Sequence, residues 1–236
     1  RYVFSSGHGF AAGHHMNANG PIALNTDTQL TALGFCIDPE LNQMDTPNGH
    51  CVFLQVVGLT EDEREALMCW NGVSFLTEFQ RYFPLCVTDL ARCSMMENPS
   101  FRKTWQAGVE RDGSSTAFLY MDKLQIRLEK GHAILCLGAG HQETLKRMLR
   151  ARVGKGRTLT LQNRSQAVLF CPGKQGEVRE KDQMTTVVLP QEALEELCAV
   201  LEPHAGVYSL SSFPLIVELT PTTITDQDGK TVSVIE

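Results

Sequence analysis

Apolar and polar positions follow two different periods along this chain, and the clearest switch between them lies in Cys51 to Gly72. Val52 to Val57 is a compact apolar run rich in β-branched residues and bounded by Gly58. Its length and composition predict a strand buried on both faces. Thr60 follows at an N-cap position with Glu63 three residues on, which is the spacing of a capping box. Glu61, Asp62 and Glu63 crowd the first turn, where the helix dipole favours negative charge. Ala66, Cys69, Trp70, Val73, Leu76, Phe79 and Phe83 then recur at helical spacing and predict one continuous apolar stripe.

The remaining pattern places other elements around this strand and helix. Arg1 to Phe4 reads as the end of an element, and a chain opening on Arg rather than Met reads as starting inside a longer protein. Ser5 to Asn25 predicts a loop, Leu30 to Ile37 a strand, Asn42 to Gly49 a polar turn and Cys86 to Leu90 a short strand. Asn98 to Glu110 predicts a helix capped by Asn98, with Pro99 at its first position. Arg111 to Thr116 reads as a linker, which divides the chain into residues 1–115 and 116–236. Beyond it, strands are expected at Phe118 to Leu128, Ala133 to Leu137, Thr158 to Leu161, Ala167 to Cys171, Thr185 to Leu189 and Leu215 to Leu219. His141 to Arg152 and Gln191 to Leu201 predict helices, and Thr222 to Ile235 a hairpin around Asp228-Gly229. Strands and helices mix without a regular βαβ rhythm, so the expected class is α+β.

Composition narrows the function classes. The chain of 236 residues is long enough for one large or two small cores, and its formal charge of -6 argues against nucleic acid as a partner. Its longest apolar runs are too short to span a bilayer, and no basic-then-apolar signal segment opens it. The 8 cysteines form no C-x-x-C pair and, Cys93 apart, lie singly in apolar segments. They read as buried free thiols in a reducing, cytoplasmic setting.

Candidate chemistry is sparse. Gly7-His8-Gly9-Phe10-Ala11-Ala12 fits a G-x-G-x-x-A fingerprint, but the following Gly13 to Pro21 cannot sustain the helix that would hold a pyrophosphate. His8, His14 and His15 could gather around a metal, which leaves an enzyme or metal-binding protein centred on them as a third reading, yet no neighbouring ligand has a recognisable spacing, so no metal or cofactor is expected. No G-x-S-x-G motif or polarised cysteine marks a nucleophile, and no enzyme activity is expected. Carboxylates at Glu61 to Glu65 and at Glu192, Glu195 and Glu196 read as solvated helix faces. The run Lys146, Arg147, Arg150, Arg152, Lys155, Arg157 reads equally as a partner surface or as a helix end favourable to the dipole.

Several stretches in order resemble the suppressor of fused family. They are R-Y-V-F from Arg1, Gly13 to His15, Asp38 to Gly49, Phe53 to Thr60, Trp70 to Gly72, Thr88 to Leu90, and G-V-E-R-D-G-S from Gly108. In the second half the match runs through Leu124 to Leu128 and Arg150 to Thr160. The resemblance implies two mixed α/β subdomains with a cleft between them, part of the N-terminal one lying upstream of Arg1. In animal members it implies a scaffold and repressor that clamps an extended peptide of Gli-type transcription factors in that cleft. Partner contacts carried over by position fall on Tyr2, His14, Asp122, Leu124 and Ile126. Where the family has Gly-Asp-His this chain has Gly13-His14-His15, and the long Ser- and acid-rich insertion near Arg111 to Thr116 is absent. The chain therefore resembles a compact bacterial member. Such relatives imply a second partner, a cognate toxin neutralised by an immunity protein, for which Glu61 to Glu65 would supply an acidic surface.

Overall fold

The computed structural model describes residues 7, 9–202, 204–225 and 231–235. It divides into two compact units, Arg1–Ser115 and Thr116–Glu236, and its class is α+β.

In the first unit β1 (His15–Asn17), β2 (Leu30–Ile37) and β5 (Leu54–Thr60) form a 3-stranded antiparallel sheet with β2 in the middle. The segment expected as a polar turn is instead a separate hairpin, β3 (Gln43–Thr46) with β4 (Gly49–Val52), exposed along both strands. Three helices follow: α1 (Glu61–Cys69), α2 (Gly72–Gln80) and α3 (Pro99–Asp112). Their buried faces meet those of β2 and β5 in one apolar cluster that includes Leu59, Leu67, Trp70, Phe75, Phe79 and Phe101. Asn98 caps α3 as the sequence predicts, accepting from the amides of Ser100 and Phe101 at 2.9 and 3.2 Å.

The single helix expected from Glu61 to Phe83 is two. Trp70 adopts an extended backbone, and Asn71 restarts the helix by accepting from the Ser74 amide at 3.0 Å. The cause is tertiary. The Trp70 indole donates to Asp112 at 2.8 Å, and its ring lies against Gly108, where a Cβ would collide with it. Gly72 approaches the Gly13 backbone so closely that only a hydrogen fits on its Cα. Val73, expected on the apolar stripe, is consequently half exposed.

Where that helix begins, the capping box forms, and Glu63 does more than cap. The Glu63 carboxylate is fully buried, accepts from the Thr60 amide at 2.9 Å and the Met95 amide at 2.7 Å, and pairs with Arg92 through two contacts of 2.6 Å. The Arg92 guanidinium also donates to the Gly58 carbonyl at 2.7 Å and lies over the Phe79 and Phe83 rings. This network pins the irregular segment after α2 to the strand–helix junction. No strand forms at Cys86 to Leu90, where Cys86 takes a positive φ of 52°. The expected linker is also firmly held: Arg111 and Asp112 complete α3, and the buried Ser114 hydroxyl donates to the Met68 carbonyl at 2.5 Å.

The second unit contains two mixed sheets. One has the order β11 (Glu177–Lys181), β12 (Met184–Leu189), β10 (Ala167–Pro172), β9 (Leu159–Gln162), β6 (Phe118–Tyr120). The other runs β13 (Gly206–Ser209), β14 (Leu215–Thr220), β8 (His132–Gly138), β7 (Leu124–Glu129). Helices α4 (Gln142–Arg152) and α5 (Gln191–Val200) contact each other and, respectively, β9 and β12. Their inward residues, Leu145, Met148, Leu149, Leu194 and Leu197, are buried as their helical spacing predicts. The hairpin β15 (Thr222–Thr225) with β16 (Thr231–Ile235) forms, and its Asp228-Gly229 turn lies outside the described residues. Strand β11, too charged to show an apolar pattern, was not expected.

Candidate functional site

The apolar run from Phe118 to Leu128, expected as one strand, is broken at Met121-Asp122-Lys123 so that its halves serve different sheets. Met121 is buried and continues the β6 pairing by donating its amide to the Gln162 carbonyl at 2.9 Å. Lys123 Nζ reaches the Pro221 carbonyl at 2.9 Å. Between these anchors the Asp122 side chain is exposed and lines two shallow hollows. One, of about 360 Å³, is shared with Tyr120, Asn163, Arg164 and Ser165, and the other, of about 280 Å³, with Lys123, Gln125 and Cys136 among others. His141 feels the same corner. Its pKa is lowered, first by burial, with Asp122 pulling it up and Lys123 pushing it down.

The two edge strands meeting here differ in what they leave open. Among the described residues β6 has β9 as its only strand partner, and its Phe118 and Tyr120 side chains are about half exposed. On β7 the Leu124 and Ile126 side chains are buried. The outer backbone of β7 is also engaged: Ile126 donates to Gln166 Oε1 at 2.9 Å, and Asn163 Nδ2 donates to the Leu124 carbonyl at 2.7 Å. Side chains of the β9–β10 turn thus cover the strand edge as a neighbouring strand would. Gln166, Asn163 and Tyr120 carry no sequence signal for this role, because it depends on which sheet each half of the 118–128 run joins.

On the open face of the second sheet, Arg127 grips Glu218 through contacts of 2.8 and 2.9 Å, and the Cys136 thiol donates to Glu218 at 2.9 Å. Burial and the Glu218 carboxylate push Cys136 up to about 11, which keeps it a thiol rather than a nucleophile.

The other expected residues lie in the first unit or outside the described part. Tyr2 and His8 are outside it. His14 is exposed, and its Nδ1 accepts from the Ala11 amide at 3.2 Å. His15 is largely buried on β1, with Nδ1 lacking a partner. Burial, then Arg64 and His14, lowers its pKa to about 4. No three His, Cys, Asp or Glu among the described residues gather as a metal ligand set.

The carboxylates at Glu61 to Glu65 do not form the expected solvated face. Glu61 pairs with Arg64, Glu63 is buried against Arg92, and Asp62 accepts from Ser94 at 2.6 Å. In the basic run, Arg147 pairs with Glu143 at 3.0 Å and Arg152 donates to the Thr158 carbonyl. No helix among the described residues is long and apolar enough to cross a membrane.

This α+β arrangement is the one seen in a known class of proteins. Residues 1–93 match the family model described as Suppressor of fused protein. The suppressor of fused homologs of Homo sapiens and Mus musculus are each 30% identical over 122 residues, covering 49% of this chain and 25% of the relative. The chain thus spans about a quarter of the length of these curated relatives. A crystal structure of Drosophila Suppressor of Fused superposes with a TM-score of 0.74 over 92% of this chain and 68% of that one, at 17% identity, and shares the fold. The first part of the chain is thus similar to suppressor of fused proteins, and its fold is one that the Drosophila protein shares.

Proposed function

We propose that this protein is a non-enzymatic binding module that takes an extended protein segment at the Asp122 corner. The observation that carries the reading is the exposed Asp122 carboxylate at the end of β6, an edge strand with two half-exposed aromatic side chains. An added strand would find an edge at β6, whose strand partner among the described residues is β9 alone, aromatic surface from Tyr120, and a negative charge for a Lys, Arg or His side chain. The suppressor of fused resemblance supports the same reading and adds Tyr2 and His14 as further partner contacts. Leu124 and Ile126 enter as supports that hold Asp122 in place, since their side chains are buried.

Selection of displayed random peptides against the protein, followed by titration of a selected peptide, tests this. Asp122→Lys and Tyr120→Ala should each weaken binding at least tenfold while leaving the thermal transition in place. Unchanged affinity in both variants refutes the site. The alternative, an immunity protein that holds a toxin against Glu61 to Glu65, draws less support because Arg64 and Arg92 already neutralise two of those carboxylates.

A further inference from the structure

Cys36 on β2 and Cys86 in the segment after α2 are 50 positions apart, yet their sulfurs lie 3.6 Å from each other. Both residues are buried, and neither is bonded to another cysteine. The separation is an ordinary nonbonded contact, about 1.6 Å longer than the roughly 2 Å of a disulfide bond. The two thiols are not equivalent. Cys36 donates its S–H to Cys86 and also faces the Gln55 carbonyl at 3.8 Å. That donation is the largest influence on Cys86 and holds it down at about 7, with the Gln80 side chain acting in the same direction. Cys36 is pushed the other way, first by its hydrogen bond to Cys86 and then by burial.

The surroundings supply a route for a small reagent. Cys86 sits in an irregular segment with positive φ, between Leu85 and Val87, which are both more than half exposed. Local opening of such a segment needs far less than global unfolding. Two other thiols, Cys51 and Cys93, are exposed and would compete for the reagent.

We propose that Cys36 and Cys86 form a peroxide-responsive dithiol site that closes to an intramolecular disulfide. Cys86, as thiolate, attacks one oxygen of hydrogen peroxide. The O–O bond breaks, and a sulfenic acid forms with release of hydroxide, which takes up a proton as water. The Cys36 sulfur then attacks the Cys86 sulfur, displaces the second hydroxide, and gives up its proton to form the second water. Two thiols lose two electrons and two protons, and the peroxide is reduced to two waters. Cys86 is the attacking sulfur because it is the one stabilised as an anion, and Cys36 is the resolving one. The product would tie β2 covalently to the segment that carries Arg92, locking the loop onto the sheet.

The test uses the full chain in a Cys51→Ser, Cys93→Ser background, so that the exposed thiols cannot compete. After hydrogen peroxide treatment, intact mass should fall by two hydrogens, and peptide mapping should recover one Cys36–Cys86 cross-linked pair. The urea midpoint of the treated protein should rise, and a reducing agent should restore it. Adding Cys36→Ser should leave a dimedone-reactive sulfenic acid on Cys86, whereas adding Cys86→Ser should leave Cys36 unmodified. The proposal is overturned if both thiols stay alkylatable in denaturant after treatment. It is equally overturned if Cys86 is recovered bonded to another cysteine.

Discussion

Replacing Arg92 tests the most consequential buried contact in the first unit. The Glu63 side chain is 0% exposed and that of Arg92 6%, so neither charge has water as a substitute partner. Taking either charge out of water costs several kcal/mol, which the pair offsets only while both members and their hydrogen bonds are present. Arg92→Ala leaves the carboxylate with the Thr60 and Met95 amides and no counter-charge. The expected loss is about 3–5 kcal/mol, a large fraction of the roughly 5–15 kcal/mol that holds a domain together. Glu63→Gln strands the guanidinium and should cost a similar amount. Combining Arg92→Met with Glu63→Leu removes both charges but leaves two amides without acceptors, at about 1–3 kcal/mol each, so the double variant should lose less than the two charge-stranding variants added together. Urea unfolding followed by tryptophan fluorescence is the assay, since Trp70 and Trp105 are the only tryptophans and both lie in the first unit. A loss below about 1 kcal/mol for Arg92→Ala, the range of solvent-exposed pairs, would refute the reasoning.

Two further predictions concern pH. His15 is held near 4 in the folded protein against an ordinary value of 6.5, so the unfolded chain binds a proton first. Stability should be unaffected above about pH 6.5 and fall as pH drops from there toward 4, by at most about 3 kcal/mol. His15→Leu should flatten that limb, and a limb of unchanged depth would assign the acid sensitivity to another group. Glu196 accepts from the amides and hydroxyls of Ser211 and Ser212, and these bonds hold its carboxyl at about 2. Its contribution should be intact above about pH 4.5 and fade as pH falls toward 2. Glu196→Gln should lower the melting temperature of the wild-type chain at neutral pH, and the difference should shrink in acid.

The local features of this protein are legible in its amino-acid sequence. Strand β2 occupies the residues its pattern predicts, the Thr60 capping box forms, and Asn98 with Pro99 opens α3. Each depends on neighbours within about four residues, so linear spacing contains the information. The family resemblance is legible for the same reason: its motifs are short contiguous strings. The candidate site is legible only in part. Asp122 can be named by position, but not the side chains around it, nor the burial of Leu124 and Ile126.

Tertiary structure decided what adjacency could not. The helix breaks at Trp70 because Asp112 and Gly108, some 40 residues on, claim the indole. Glu63 changes from a solvated carboxylate to a buried ion because Arg92, 29 residues away, reaches it. Among the described residues the 118–128 run becomes two edge strands because β9 pairs with its first part and β8 with its second, in different sheets. Residues distant in sequence share no periodicity, so only the folded chain brings their charges, rings and thiols together.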